Sequence, residues 1–294
     1  VSIPPSQISP HRGSRVDLPG RYGPIAALRA PTPNAGHPPP TALLVPGYTG
    51  SKEDFAPLLD AIAEAGLDAI AIDMPGQYES AGPDDEDAYL PAALGMVLAE
   101  LVGKLAAEGN QVVLLGHSYG GLVARGAVLA GAPVAGLTLM ASGPGELPDG
   151  LRRQALDFGE PAMREHGIEA AQNLRDQLDA MNPQPVAAPE LRALLRERFV
   201  RSRPAALLGK ARALRTEPDL VSSLARTLHT GGIPCLVVCG EGDDAWSVAS
   251  QRDMADRLDA DFAVIPGARH SPNTENPAEL LATLIPTWRS WLTA

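Results

Sequence analysis

Residues Gln111–Val123 read QVVLLGHSYGGLV, and this stretch constrains the chain more than any other. Val112-Val113-Leu114-Leu115 is an apolar run of buried-strand character. Gly116-His117-Ser118-Tyr119-Gly120 then turns into an Ala-rich apolar segment that ends near Ala130. Strand, tight turn and helix follow one another, with Ser118 at the tip. A turn this sharp strains the serine backbone and crowds its neighbours, and glycines two before and two after relieve the crowding. Gly116-x-Ser118-x-Gly120 therefore fits a nucleophile elbow. It places the serine above a strand end and at a helix N-terminus, where unpaired N–H groups and the helix dipole favour developing negative charge.

Apolar runs at regular intervals extend the same pattern. Ser14–Val16 and Ile25–Arg29 read as two short strands joined by a Pro/Gly turn. Thr41–Val45 is a strand ending in Pro46-Gly47-Tyr48. Ser51, with Asp54 three residues on, opens a helix that Gly66 closes. Leu67–Ile72 is the next strand and leads into Asp73-Met74-Pro75-Gly76-Gln77. A long Ala/Leu helix is expected over Ala88–Glu108, with Asp84-Asp85-Glu86-Asp87 as a solvated capping run at its start. Val134–Ala141, Cys235–Cys239 and Phe262–Ile265 are further strands, with helices over Ser250–Leu258 and Pro277–Leu292. Strands alternating with helices at this spacing imply a parallel sheet covered on both faces. The rhythm breaks between Leu147 and Gly231, where the chain is helical, rich in Arg, Leu and Ala, and interrupted by Pro183-Gln184-Pro185, Pro189, Pro204 and Pro218. That segment reads as an insertion over the C-terminal edge of the sheet, where ligand sites form in α/β proteins.

Composition narrows the function. The formal charge of −11 argues against a nucleic-acid partner. No apolar run approaches a membrane span, and no signal-peptide pattern is visible, so the expectation is a cytoplasmic protein with a small-molecule substrate and no membrane partner. Aromatic residues make up only 4% of the chain, so the core must be built from Ala, Leu and Val. Cys235 and Cys239 lie in one extended run, about 13 Å apart, too far for a disulfide. They are read as buried structural thiols. No metal-ligand spacing, flavin site or nicotinamide site is evident, and the turn carries Ser118 where a phosphate-binding loop would need glycine.

A serine hydroxyl needs a base to take its proton and an acid to hold that base. Asp243 follows the strand end at Cys239, and His270 follows the last strand end. In a parallel sheet all three strand ends face one edge, so Ser118, Asp243 and His270 can converge. Asp244 is adjacent and can carry the acid's role. His11 and His37 lie in Pro-rich stretches and His166 and His229 in the insertion, so they are poorer bases; His117 is read as packing.

The order Ser118, Asp243, His270 is that of the α/β-hydrolase triad. With Gly116-His117-Ser118-Tyr119-Gly120-Gly121, Asp73–Ser80, Gly240-Glu241-Gly242-Asp243 and Pro266–His270, the chain resembles the α/β-hydrolase superfamily over about residues 20–145 and 232–294. The resemblance implies an eight-stranded, mostly parallel sheet flanked by helices, with a helical cap after strand six. The core would be 1–146 and 232–294 and the cap 147–231. It also implies an oxyanion hole from the backbone N–H groups of Tyr48 and Tyr119. The corresponding family loop usually reads His-Gly-x; here it is Pro46-Gly47-Tyr48, and the Tyr48 ring can equally line the acyl pocket. Some members place the acid after strand six, which leaves Glu146 as an alternative. Gly76 is expected to supply an unusual backbone conformation, and the Asp73–Ser80 loop no chemistry.

The resemblance implies a cofactor-free serine hydrolase acting on a small carboxylic ester, lactone or thioester. A C–C hydrolase or aminopeptidase of the same fold, and a ligand receptor without turnover, are the alternatives, since fold alone does not choose among them.

Overall fold

The computed structural model describes residues 4–33, 38–181 and 188–293. His37 and Pro183-Gln184-Pro185 lie outside the described residues. Eight strands form one sheet: β1 (Ser14–Leu18), β2 (Ile25–Ala30), β3 (Thr41–Val45), β4 (Asp68–Ile72), β5 (Val112–His117), β6 (Gly136–Met140), β7 (Cys235–Gly240) and β8 (Asp261–Ile265). Their order is β1-β2-β4-β3-β5-β6-β7-β8. β1 and β2 pair antiparallel, as do β2 and β4; every later pairing is parallel. The fold is the expected α/β-hydrolase fold.

Alternation along each strand divides the core in two. On β5, Val112 and Leu114 face one layer while Val113 and Leu115 face the other. The first layer packs on α2 (Pro91–Ala107), α3 (Tyr119–Leu129), α7 (Val221–Gly231) and α8 (Val248–Leu258). The second packs on α1 (Ala56–Glu64) and α9 (Pro277–Thr293), where buried Trp288 donates its indole N–H to the Thr138 hydroxyl at 2.9 Å. Sheet residues buried on both faces explain why the parallel strands read as continuous apolar runs. Cys235 and Cys239 are free, buried thiols, each pushed up to about 12 by burial.

Helices α4 (Leu151–Met181), α5 (Pro189–Arg201), α6 (Pro204–Thr216) and α7 fill the chain between β6 and β7. The first of these is broken at Gly167, whose φ is 83°. Ion pairs and backbone contacts hold this segment on the sheet edge. Arg198 reaches Asp54 at 2.5 Å, with both side chains nearly buried, and the Arg203 N–H donates to the Gly76 carbonyl at 2.8 Å.

The start of α2 departs from expectation. Pro91 sits in the first turn of α2 and Leu90 is its N-cap, so the helix starts later than Ala88. Asp84–Asp87 instead leads into a separate 3-10 turn, Glu86–Tyr89, capped by Asp85, which accepts from the Asp87 N–H at 3.0 Å. The run is solvated and capping as expected, with Asp84, Asp85 and Asp87 exposed, and it also forms surface ion pairs. Arg203 pairs with Asp84 at 2.8 Å, Arg164 with Glu86 at 2.7 Å, and Arg212 with Asp87. The excess arginines of the inserted helices thus meet the acids of the core.

Candidate active site

The β5–α3 turn carries Ser118 at φ 55° and ψ −120°. A non-glycine residue held there costs about 1–3 kcal/mol, so the surroundings must enforce it. They do so by close approach. A side chain at Gly116 would strike the Gly120 carbonyl, and one at Gly120 would strike the carbonyls of Val45 and Pro46. The Ser118 N–H is held by the Met140 carbonyl at 2.8 Å.

His270 follows β8 through Gly267, whose φ is 68°. Its Nε2 lies 2.9 Å from Ser118 Oγ, and its Nδ1 lies 2.9 Å from Asp243 Oδ1. The Arg269 and Ser271 N–H groups both donate to Glu275, which fixes the loop on either side of the imidazole. Asp243 has a fully buried side chain. Its Oδ1 also accepts from the Ala245 N–H at 2.9 Å, and its Oδ2 from the Gln251 amide at 2.8 Å. Burial alone would raise its pKa; the hydrogen bond and charge of His270, the Ala245 N–H and Gln251 together outweigh burial and hold it below the usual range.

The alternative acids stand elsewhere. Asp244 is partly exposed and pairs with Arg152 at 2.8 Å. Glu146 is exposed, pairs with Arg153 at 3.2 Å, and lends its carbonyl to the Trp246 indole at 3.0 Å. His270 Nδ1 meets Asp243.

Two residues with no chemistry assigned from sequence support this arrangement. His117 is more than packing: its Nε2–H donates to the His270 carbonyl at 2.7 Å. Burial, and then the proximity of His270, depress its pKa to about 4, so near neutral pH it is an uncharged donor. Gln251, buried on α8, donates to both Asp243 and the Trp246 carbonyl at 2.8 Å each. No motif marks either role: the partner of His117 is 153 residues away, and Gln251, 8 residues after Asp243, is a plain helix position by sequence.

The Pro46-Gly47-Tyr48 loop lies against the serine: a side chain on Gly47 would come within 3.3 Å of Ser118 Cβ. Gln77 anchors this loop, its amide donating to the carbonyls of Gly47 at 2.7 Å and Tyr48 at 3.2 Å. The Asp73–Ser80 loop therefore positions the site, and Gly76 has the expected positive φ, 73°. Tyr119 opens α3, so its N–H belongs to the first turn, which has no intrahelical acceptor. The Tyr119 ring is pinned by a 2.5 Å bond from its hydroxyl to the Tyr89 carbonyl. Burial pushes the Tyr48 phenol up to about 12, so it stays protonated.

A cavity of about 240 Å³ opens over Ser118 and His270. Tyr48, Thr49 and Ala245 form its core side, and α4, α5 and α6 its roof. The arrangement has the parts for nucleophilic attack on a carbonyl: a hydroxyl bonded to an imidazole, an imidazole bonded to a buried carboxylate, and a backbone loop and helix start beside the hydroxyl.

The sequence profile of the alpha/beta hydrolase family matches residues 42–283. The chain belongs to that family. A relative from Bacillus subtilis (strain 168), provisionally named 2-succinyl-6-hydroxy-2,4-cyclohexadiene-1-carboxylate synthase, is 25% identical over 238 residues, covering 79% of this chain and 84% of its own. Among solved structures, a malate-bound thermophilic esterase from Thermogutta terrifontis is 23% identical with TM-score 0.69, over 95% of this chain and 99% of its own. The N-acyl homoserine lactonase AidH complexed with N-butanoyl homoserine is 20% identical with TM-score 0.71, over 96% of this chain and 98% of its own. At such identities the structural likeness speaks for the fold. As an alpha/beta hydrolase this chain has hydrolase-type machinery. Among the described residues no helix is long and apolar enough to cross a membrane.

Proposed function

We propose that this alpha/beta hydrolase cleaves a small carboxylic ester, or a lactone or thioester, through an acyl-enzyme on Ser118. The observation that carries the reading is the unbroken Ser118–His270–Asp243 hydrogen-bonded chain, with 2.9 Å at each step. His270 Nε2 takes the Ser118 proton as Oγ attacks the substrate carbonyl, and Asp243 steadies the imidazolium that forms. The tetrahedral oxyanion is held by the backbone N–H groups of Tyr48 and Tyr119. As the intermediate collapses, His270 returns the proton to the departing alkoxide or thiolate, leaving an acyl ester on Ser118. A water then gives a proton to His270 as its oxygen adds to the acyl carbon, and His270 returns that proton to Ser118 Oγ as the Ser118–acyl bond breaks and the acid leaves. No cofactor takes part in these steps.

The inserted helices act as a lid that sets specificity. Leu156, Met163, Phe199 and Leu214 are among the apolar side chains of the roof, so exchanging them should change which acyl and alcohol groups are accepted more than it changes the chemistry. A soluble activated ester should be turned over without added metal, and Ser118→Ala should abolish that turnover by several orders of magnitude while leaving the fold intact. A folded protein that hydrolyses no activated ester, lactone or thioester would overturn the reading.

The similarity to the Bacillus subtilis protein favours a second reading, in which the same Ser118–His270 pair serves a reaction other than ester hydrolysis. The two part on whether Ser118 becomes acylated during turnover.

A further inference from the structure

Tyr48 stands apart from the other enclosed tyrosines. Tyr89 donates its hydroxyl to the Pro83 carbonyl at 2.6 Å, and Tyr119 donates its own to the Tyr89 carbonyl at 2.5 Å. The Tyr48 hydroxyl has no hydrogen-bond partner among the described residues. Buried phenols ordinarily find one, so an enclosed phenol without one calls for a partner from outside the chain.

Its place shows where that partner would come from. The Tyr48 backbone belongs to the loop that Gln77 holds against Ser118, and the side chain lines the cavity above the serine. The ring packs on the roof cluster that contains Met163, Phe199 and Leu208. The side chain therefore runs from the reacting atoms toward the roof, with the hydroxyl at its far end. The other polar side chains of the cavity wall are engaged. Ser118 and His270 bond each other, Arg152 pairs with Asp244, Glu160 with Arg164 and Arg215, and Arg175 stacks 4.5 Å over the Phe199 ring. Among the described residues that leaves the hydroxyls of Tyr48 and of Thr49, a short side chain in the loop beside the serine. A phenol oxygen shares its lone pair with the ring, so the hydrogen is the stronger half of the group and an oxygen acceptor suits it best. Burial pushes its pKa up to about 12, so the donor keeps its proton at any working pH.

We propose that the acyl chain of the substrate carries a second, uncharged carbonyl oxygen several bonds from the scissile one, and that the Tyr48 hydroxyl selects it. This rests on the ester-hydrolase reading. With the scissile carbonyl over Ser118, the chain follows the Tyr48 ring toward the roof, where the O–H meets the second oxygen. A saturated chain of the same length fills the same apolar walls but leaves the phenol unpaired, which is the costlier state for a buried donor.

The test compares kcat/KM for 4-nitrophenyl heptanoate with the values for its 4-oxo, 5-oxo and 6-oxo derivatives, which share chain length and leaving group. For at least one oxo ester, the ratio to heptanoate should fall about tenfold from wild type to Tyr48→Phe, the size of one hydrogen bond, and by at least about threefold. Tyr48→Phe keeps the ring and the backbone N–H, so any general damage to catalysis lowers all the esters alike and cancels in the ratio. A smaller fall at every ketone position, in a protein that still hydrolyses heptanoate, defeats this inference alone. A fall in Thr49→Val in place of Tyr48→Phe assigns the donor to Thr49 and also overturns it. Absence of turnover of any of these esters by the wild type counts against the hydrolase reading. In that case the affinities of the three methyl oxoheptanoates, measured by NMR titration, still decide: tighter binding of one of them to wild type than to Tyr48→Phe supports the carbonyl site, and equal or absent binding refutes it.

Discussion

Lys210 makes a quantitative test of the packing between the inserted helices and the core. It lies on α6, its side chain is wholly buried, and its ammonium nitrogen has no hydrogen-bond partner among the described residues. Burial depresses its pKa from 10.5 to about 7, an effect that the charge of Asp73 only partly offsets. The folded state therefore disfavours the charged form. Below pH 7 the lysine is charged in both states and the penalty is complete; above 10.5 it is neutral in both and the penalty is gone. At about 1.4 kcal/mol per pH unit, the gap amounts to about 5 kcal/mol of lost stability at or below neutral pH. Lys210→Met fills much of the same volume without a charge, but it gives up the attraction to Asp73 and packs imperfectly. It should stabilise the protein by about 2–4 kcal/mol at pH 7. Urea unfolding at several pH values reads the effect. The gain should shrink by about 1.4 kcal/mol per unit between pH 7.5 and 9.5, because over that range the wild-type penalty itself declines. A variant less stable than wild type at pH 7, or a gain that is constant with pH, refutes the reasoning.

Asp243→Asn should lower kcat by about 10³–10⁴-fold, since an amide cannot stabilise the imidazolium, whereas Asp244→Asn, which breaks only the partly exposed pair with Arg152, should cost far less; steady-state kinetics on one ester compares them, and greater damage in the second variant reverses the assignment. His117→Leu should lower kcat more than it changes KM, because the lost hydrogen bond holds the His270 carbonyl and not the substrate, and an equal loss through KM alone would contradict that role.

The sheet and the elbow were legible in the sequence because each depends on neighbours in the chain. Val112–Leu115 needs both faces covered, and Gly116 and Gly120 are spaced by the turn they serve. The mixed edge was less so: two short runs at Ser14 and Ile25 announce strands, but only tertiary pairing sets β2 antiparallel beside β4. The choice between Asp243 and Asp244 depends on which carboxylate points inward, and that is decided by the Ala245 N–H and by Gln251, neither of which a motif encodes. The capping role of the acidic run at Asp84 was readable, but its ion pairs were not, because Arg203, Arg164 and Arg212 lie more than 75 residues away. Features tied to a strand end or a turn were readable from sequence, and the contacts that orient individual side chains were not.

The central claim is that Ser118 is the nucleophile and that an acyl group rests on it. Treatment with a 4-nitrophenyl phosphonate, followed by peptide mass spectrometry, tests this without depending on the natural substrate or on the rate of deacylation. One phosphonyl group should appear on the peptide containing Ser118, in step with loss of ester hydrolysis, and Ser118→Ala should be neither labelled nor active. Labelling elsewhere, or ester turnover that survives in Ser118→Ala, would contradict the account.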